Sequence, residues 1–337
     1  MKSLHFATLS LAALGSVGLA GCVSQPDDQV ETIRQALPKK ESMQLNGPET
    51  NTTQTSSADN VGDAGAAPAS APYATYYTFT RGVRDGVNKI TAAVLGTVWY
   101  IVNTKPTAID QQDAIWGPYT DALEPATWRF RVTHQGGEQY AYILEGRPKE
   151  SSSDQDYRTV LSGVGYAKGD ASHGDGSFTI DLDTARALDP VAHPDDSGII
   201  TVTHDLPPTV TTELAPLPRT IEVTLTPSNS AAHLDILSIA REDHTGTLVV
   251  DGLADIDESK KTALEDVTVK SQWNALGAGR SDATIAGGDV PAALSPVTVV
   301  ECWDKHFKQS YYKDSAGIAA TAGDTAACAF AEAANGT

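Results

Sequence analysis

The chain has 337 residues, with 43 acidic against 24 basic side chains and a net charge of −19. That balance excludes nucleic acid as a partner, because neutralising phosphates takes clustered lysine and arginine. An anionic membrane surface would also repel the body of the chain.

Lys2 precedes an uncharged run, Phe6 to Leu19, which at about 14 residues is shorter than a membrane span and right for the apolar core of an export signal. The small residues Ala20 and Gly21 follow, directly before Cys22. "LAGC", Leu19 to Cys22, resembles the lipobox of bacterial lipoproteins. The resemblance implies that residues 1–21 are a signal recognised through Leu19, Ala20 and Gly21. It also implies diacylglycerol on the Cys22 thiol and acylation of the amino terminus left by cleavage before Cys22. Each buried CH₂ contributes about 0.8 kcal/mol, so two or more acyl chains make the membrane a stable partner where one would be marginal. Val23 follows the cysteine, not aspartate, and the sorting rule of Gram-negative lipoproteins then implies the outer membrane. The resemblance covers the signal alone and carries no activity.

Residues 22–72 are poor in apolar side chains and dense in Ser, Thr, Asn, Gly and Pro, as in "NGPETNTTQTSSADNVGDAGAAPASAP". This composition predicts a disordered linker reaching about 40 Å from the membrane, with a marginal helix at most around Val30, Ile33 and Leu37. From Tyr76 the apolar steps become three and four, through Phe79, Val83, Val87, Ile90, Val94, Val98 and Ile101, predicting an amphipathic helix to Val102 that ends before Pro106. Gly82, Gly86 and Gly96 on it are expected to let strands approach closely.

Beyond the helix the period is two. Trp128/Phe130/Val132, Phe178/Ile180/Leu182, Ile200/Val202, Ile221/Val223/Leu225 and Val267/Val269 each alternate with polar residues. Turn signals at "HQGGEQ", "EDHTG" and "LGAGRSD" join such runs as hairpins. A short helix is expected near Thr184 to Leu188. The fold class is therefore mainly β (α+β): a curved antiparallel sheet or partial barrel of about ten strands packed on one long N-terminal amphipathic helix, in a domain over 73–330 with a disordered tail at 331–337. Two separate β-domains with the helix outside are the alternative. In layout this is loosely similar to the LolA-like open-barrel carriers of the bacterial envelope, a likeness without a motif.

Cys302 and Cys328 remain once Cys22 is lipidated and pair as one disulfide in an oxidising compartment, closing a loop worth about 3 to 4 kcal/mol. Their spacing is neither CxxC nor a zinc pattern. No GxSxG occurs, and "SYYK", Ser310 to Lys313, lacks the companion elements of the SxxK enzymes. His204 falls on an apolar strand face, His244 at a hairpin tip, and His306 beside the disulfide. Acidic groups at Asp170/Asp175, Asp195/Asp196 and Asp251/Asp255/Asp257 read as solvated turns, the last being the least poor calcium candidate. Trp116, Trp128, Trp273 and Trp303 would suit a sugar platform, but alternation places Trp128 and Trp273 in the core. No catalytic residue, metal site or cofactor is assigned. The expected function is a membrane-anchored, non-enzymatic binding or structural β-domain, with a protein or lipid as ligand. A carrier of lipid or another apolar ligand and a hydrolase of envelope polymers are the alternatives.

Overall fold

The computed structural model describes residues 26–49, 71–167, 173–194, 196–207, 217–256 and 263–334. Leu19, Ala20, Gly21 and Cys22 lie outside the described residues. Among the described residues three α-helices, two single-turn 3-10 helices and fifteen strands form, more strands than the about ten expected, and strand order follows chain order with antiparallel pairing. The additional strands include two-residue edge pieces and runs with glycine or polar residues at inward positions, which blur the period of two. The chain divides into two compact units, the first comprising Met1–Met43, Ile90–Pro208 and Leu225–Asn229, the second Gln44–Lys89, Thr209–Thr224 and Ser230–Thr337.

The first unit contains helix α1 (Pro26–Ala36), the latter part of helix α2 (Thr75–Val102), and strands β1 (Ala108–Ile109), β2 (Asp113–Tyr119), β3 (Ala126–Gly136), β4 (Gln139–Pro148), β5 (Arg158–Tyr166), β6 (Gly174–Asp181) and β7 (Ile199–Leu206), with helix α3 (Leu182–Leu188) after β6. Register stacks Trp116, Phe130, Leu144, Leu161, Ile180 and Ile200 into one buried row across β2 to β7. The next row is Ala114, Val132, Tyr142, Gly163, Phe178 and Val202. These rows are what the alternation demands. On the opposite face of β3 and β4, Arg129 donates from Nε and Nη2 to Glu145 Oε2, both at 3.1 Å. Tyr157 lies against both Arg129 and Arg147, whose guanidinium carbons are 3.9 and 4.8 Å from the ring centre. Strand β6 gives way to α3 at Asp181, whose carboxylate accepts from the Thr184 amide and caps the helix. Leu182 therefore opens a helix and does not extend the strand.

The second unit contains the first part of α2 and strands β9 (His233–Ala240), β10 (Gly246–Ala254), β11 (Glu265–Trp273), β12 (Gly279–Gly287), β13 (Val297–Trp303), β14 (Gln309–Asp314) and β15 (Ala322–Gly323). Strand β8 (Arg219–Thr226) is shared between the units. The hairpin turns fall where the turn signals place them. His244 occupies the β9–β10 tip at φ 65°. Gly246, Trp273, Gly279 and Trp303 are register partners across four strands. Each indole lies over its neighbouring glycine, and a Cβ at either glycine would collide with it. One row nearer the middle, Ser271, Ser281 and Glu301 take inward positions.

Helix α2 meets that polar row. Thr80 Oγ1 is 2.7 Å from Ser271 Oγ, which is 2.6 Å from Ser281 Oγ, all buried. The Glu301 carboxylate accepts from the amides of Thr75 and Tyr76 at 3.0 and 2.6 Å, satisfying orphan donors of the first helical turn. The buried stripe runs Tyr77, Thr80, Val87, Thr91, Leu95, Val98, Val102, so Tyr76, Phe79, Val83 and Val94 from the expected face are only half-buried. A Cβ on Gly82, Gly86 or Gly96 would meet nothing within 4 Å, which corrects the expectation that strands approach there. Among the described residues no helix is long and apolar enough to cross a membrane.

Residues 26–49 are a second correction. The expected linker is, over this stretch, helix α1 followed by a packed segment, with Val30, Ile33, Ala36, Leu37, Met43 and Leu45 buried. The composition of the whole stretch hides this short apolar periodicity, and docking supplies the stability an isolated eleven-residue helix lacks. The C-terminal residues 331–334 are likewise docked: Arg280 donates to the carbonyls of Phe330 and Ala331, Gln272 to that of Glu332, and Ala334 is buried.

Candidate functional site

The region with the most unusual chemistry is the seat of α1 in the first unit. Its floor is a third register row, Tyr140, Gly165, Gly176 and His204, across β4 to β7. Two glycines in succession open the sheet surface so that the Ala36 carbonyl, at the end of α1, can rest directly over Gly165. The His204 ring lies over Gly176 in the same way that the indoles cover glycine elsewhere. At its start α1 is held by Gln29, whose amide donates to the Asp110 carbonyl. Near its end, Arg34 donates from Nε and Nη2 to the Val102 carbonyl at 3.2 and 3.0 Å, capping the C-terminus of α2. The Trp99 indole donates to the Pro38 carbonyl at 2.8 Å, fixing the turn that follows.

Under this segment lies a small cavity lined by Gln35, Leu37, Pro38, Met43, Tyr166 and His173 together with Asp175 and His204. It encloses about 10 Å³, water-sized and far too small for an acyl chain. His204 is only 7% exposed, and neither ring nitrogen makes a hydrogen bond of normal geometry to a described residue. Burial pushes its pKa below the ordinary histidine value, against the opposing pull of the Gly174 carbonyl and of Asp175 and Asp205. The imidazole is thus neutral at pH 7. Among the described residues no serine, cysteine or lysine lines the cavity beside it. The hydroxyl of Tyr142, over Gly163, is another buried polar atom without a hydrogen-bond partner among the described residues.

The remaining sequence candidates take structural places. Cys302 and Cys328 are bonded at 2.08 Å and tie β13 to the C-terminal segment. Ser310 is buried on β14 and Lys313 exposed, on opposite faces of the strand, so "SYYK" brings no serine to its lysine. Trp116, Trp273 and Trp303 are fully buried and Trp128 packs on the cluster of Ala126, Val160, Ala185 and Leu188, leaving no aromatic platform in these four. Asp196 accepts from His193 Nδ1 at 2.8 Å and Asp251 from Thr268, whereas Asp170, Asp195 and Asp257 lie outside the described residues. His306 has its amide bound by Asp304, in a tight turn after β13. Among the described residues no three His, Cys, Asp or Glu side chains converge to hold a metal.

Sequence reasoning missed Glu301, Arg34 and the seat of α1. A signal existed for the first: the period of two places Ser271, Ser281 and Glu301 on the dry face, where a polar residue needs a partner. No family model, curated protein or solved structure matches this chain.

Proposed function

We propose that this chain is a bacterial envelope lipoprotein, acylated at Cys22 after cleavage guided by Leu19, Ala20 and Gly21. Its acyl chains hold it at the outer membrane, and its β units act there by binding or scaffolding, without catalysis. The observation that carries the proposal is the four-residue match "LAGC" directly after an uncharged run of export-signal length. The described candidates support the non-catalytic part, since Ser310, Trp116, Trp273 and Trp303 are buried and Asp196 is bound to His193. The acidic balance of the chain supports a lipid anchor over adhesion of the body to anionic headgroups. Radiolabelled palmitate is expected to enter the product made in bacterial cells, and Cys22→Ser is expected to abolish both the label and membrane fractionation. A wild-type product free of label, or unchanged fractionation of the variant, overturns the proposal.

A further inference from the structure

The docked α1 changes where the body sits, because a helix now stands where a long spacer was expected. Only Val23, Ser24 and Gln25 separate Cys22 from Pro26, and four residues of chain, however arranged, reach at most about 14 Å. Helix α1 then rises about 1.5 Å per residue, so Gln29 and the Asp110 carbonyl it binds lie within about 30 Å of the Cys22 sulfur. That fixes an end of the first unit and not merely a point. The strands have Asp113, Thr133, Tyr166, Gly174 and Leu206 at the α1 end, and Tyr119, Ala126, Pro148 and Asp181 at the other. Strand β3, with eleven residues, makes the ends about 35 Å apart.

Resting on the lipoprotein reading, we infer that the surface around the start of α1 and the β1–β2 turn, Asp28, Glu31, Lys105, Asp110, Gln111 and Gln112, is the face that lies against the lipid bilayer. The opposite end of the first unit, where Leu123 and Val191 stand exposed in loops, points away from it. The three carboxylates of the near face are exposed, Glu31 is paired with Arg34 at 3.4 Å, and Lys105 is the other cation named there, so the face stays net acidic and its lipid partner has zwitterionic headgroups rather than anionic ones. The tether, not charge, sets the orientation. Arg34 makes it rigid by locking α1 to α2, and Gln29 locks it to the β1–β2 turn.

The test uses the full chain, acylated in cells and reconstituted into phosphatidylcholine vesicles bearing a headgroup acceptor dye. Single fluorophores are attached at Gln111→Cys or Leu123→Cys, with Lys105→Cys and Val191→Cys as a second pair; Cys302 and Cys328 are already bonded to each other. Energy transfer to the bilayer is expected to be several-fold greater from positions 111 and 105 than from 123 and 191. Equal transfer from both ends, or greater transfer from 123 and 191, in protein that floats with the vesicles overturns the orientation and leaves the anchor standing. Protein that fails to float overturns the anchor, and the orientation with it.

Discussion

Arg34 places two guanidinium nitrogens on the carbonyl of Val102, joining the end of α1 to the end of α2 within the first unit. Hydrogen bonds from a charged donor contribute about 1.5 to 3 kcal/mol, and the loss of this one leaves a helix C-terminus uncapped. Arg34→Ala is expected to cost about 2 kcal/mol at the seat of α1. Hydrogen exchange reads this directly: amides of Val30 to Leu37 lose protection while those of β3 and β4 keep theirs. Uniform loss across the unit would mean that α1 is an integral part of its cooperative core.

The glycines of α2 and those of β5 separate by sign. Gly82→Ala, Gly86→Ala and Gly96→Ala each place a methyl in open space on a helix and should stabilise the fold by about 0.5 to 1 kcal/mol, read as a higher denaturant midpoint. Gly165→Ala drives a methyl into the Ala36 carbonyl and should destabilise while releasing α1. A gain at Gly165 or a loss at all three helical positions would contradict the packing described.

The period of two located β3, β6, β7, β8 and β11, and steps of three and four located α2, because those elements bury one continuous stripe. Alternation does not reveal what an inward polar residue bonds to. Glu301 is two residues from Val299 in an apolar series, yet its partners, the amides of Thr75 and Tyr76, are more than two hundred positions away. The seat of α1 was hidden for a related reason. Gly165 and Gly176 acquire meaning only as register partners, and register follows from the paired strands rather than from either strand's own composition. The expected linker failed over residues 26–49 because average composition says nothing about six well-spaced apolar residues and a docking surface for them.

The disulfide Cys302–Cys328 closes a loop across 26 positions, which in the chain-entropy model stabilises the fold by about 3 to 4 kcal/mol. The double variant Cys302→Ala/Cys328→Ala should lose that amount in denaturant titration. Arg280 and Gln272 still hold the carbonyls of Phe330, Ala331 and Glu332, so adding Arg280→Ala to the double variant should free the C-terminal segment to protease. Resistance of the triple variant would show that other contacts suffice.

Burial raises the pKa of Glu301 above 4.5, outweighing the two amide bonds that favour its ionised form. A group raised in the folded state binds its proton more tightly there than in the unfolded chain. Its contribution to stability is therefore full below about pH 4.5 and is lost as pH rises through the folded value. The stability of wild type relative to Glu301→Gln should fall as pH rises above about 4.5 and through the raised folded value, since the variant lacks the titration. Glu301→Ala, which leaves the amides of Thr75 and Tyr76 without their acceptor, should cost about 2 kcal/mol. Parallel pH profiles for wild type and Glu301→Gln would remove the assigned role of burial.

His204 titrates with the other sign. Its pKa is depressed below 6.5 because the charged ring would be buried beneath α1, so the unfolded chain takes up the proton first as pH falls. The neutral ring's contribution is complete above about pH 6.5 and declines below it until the folded value is reached. His204→Leu removes that dependence. It also removes two buried nitrogens that make no hydrogen bond of normal geometry to a described residue, and should raise stability by about 1 kcal/mol at pH 7. Thermal melts of both proteins at pH 7 and pH 5 check the two effects together: wild type loses more on acidification than the variant, and starts lower. A variant less stable than wild type at pH 7 would mean that the imidazole is bonded within the cavity under α1, and that its neutrality has a partner.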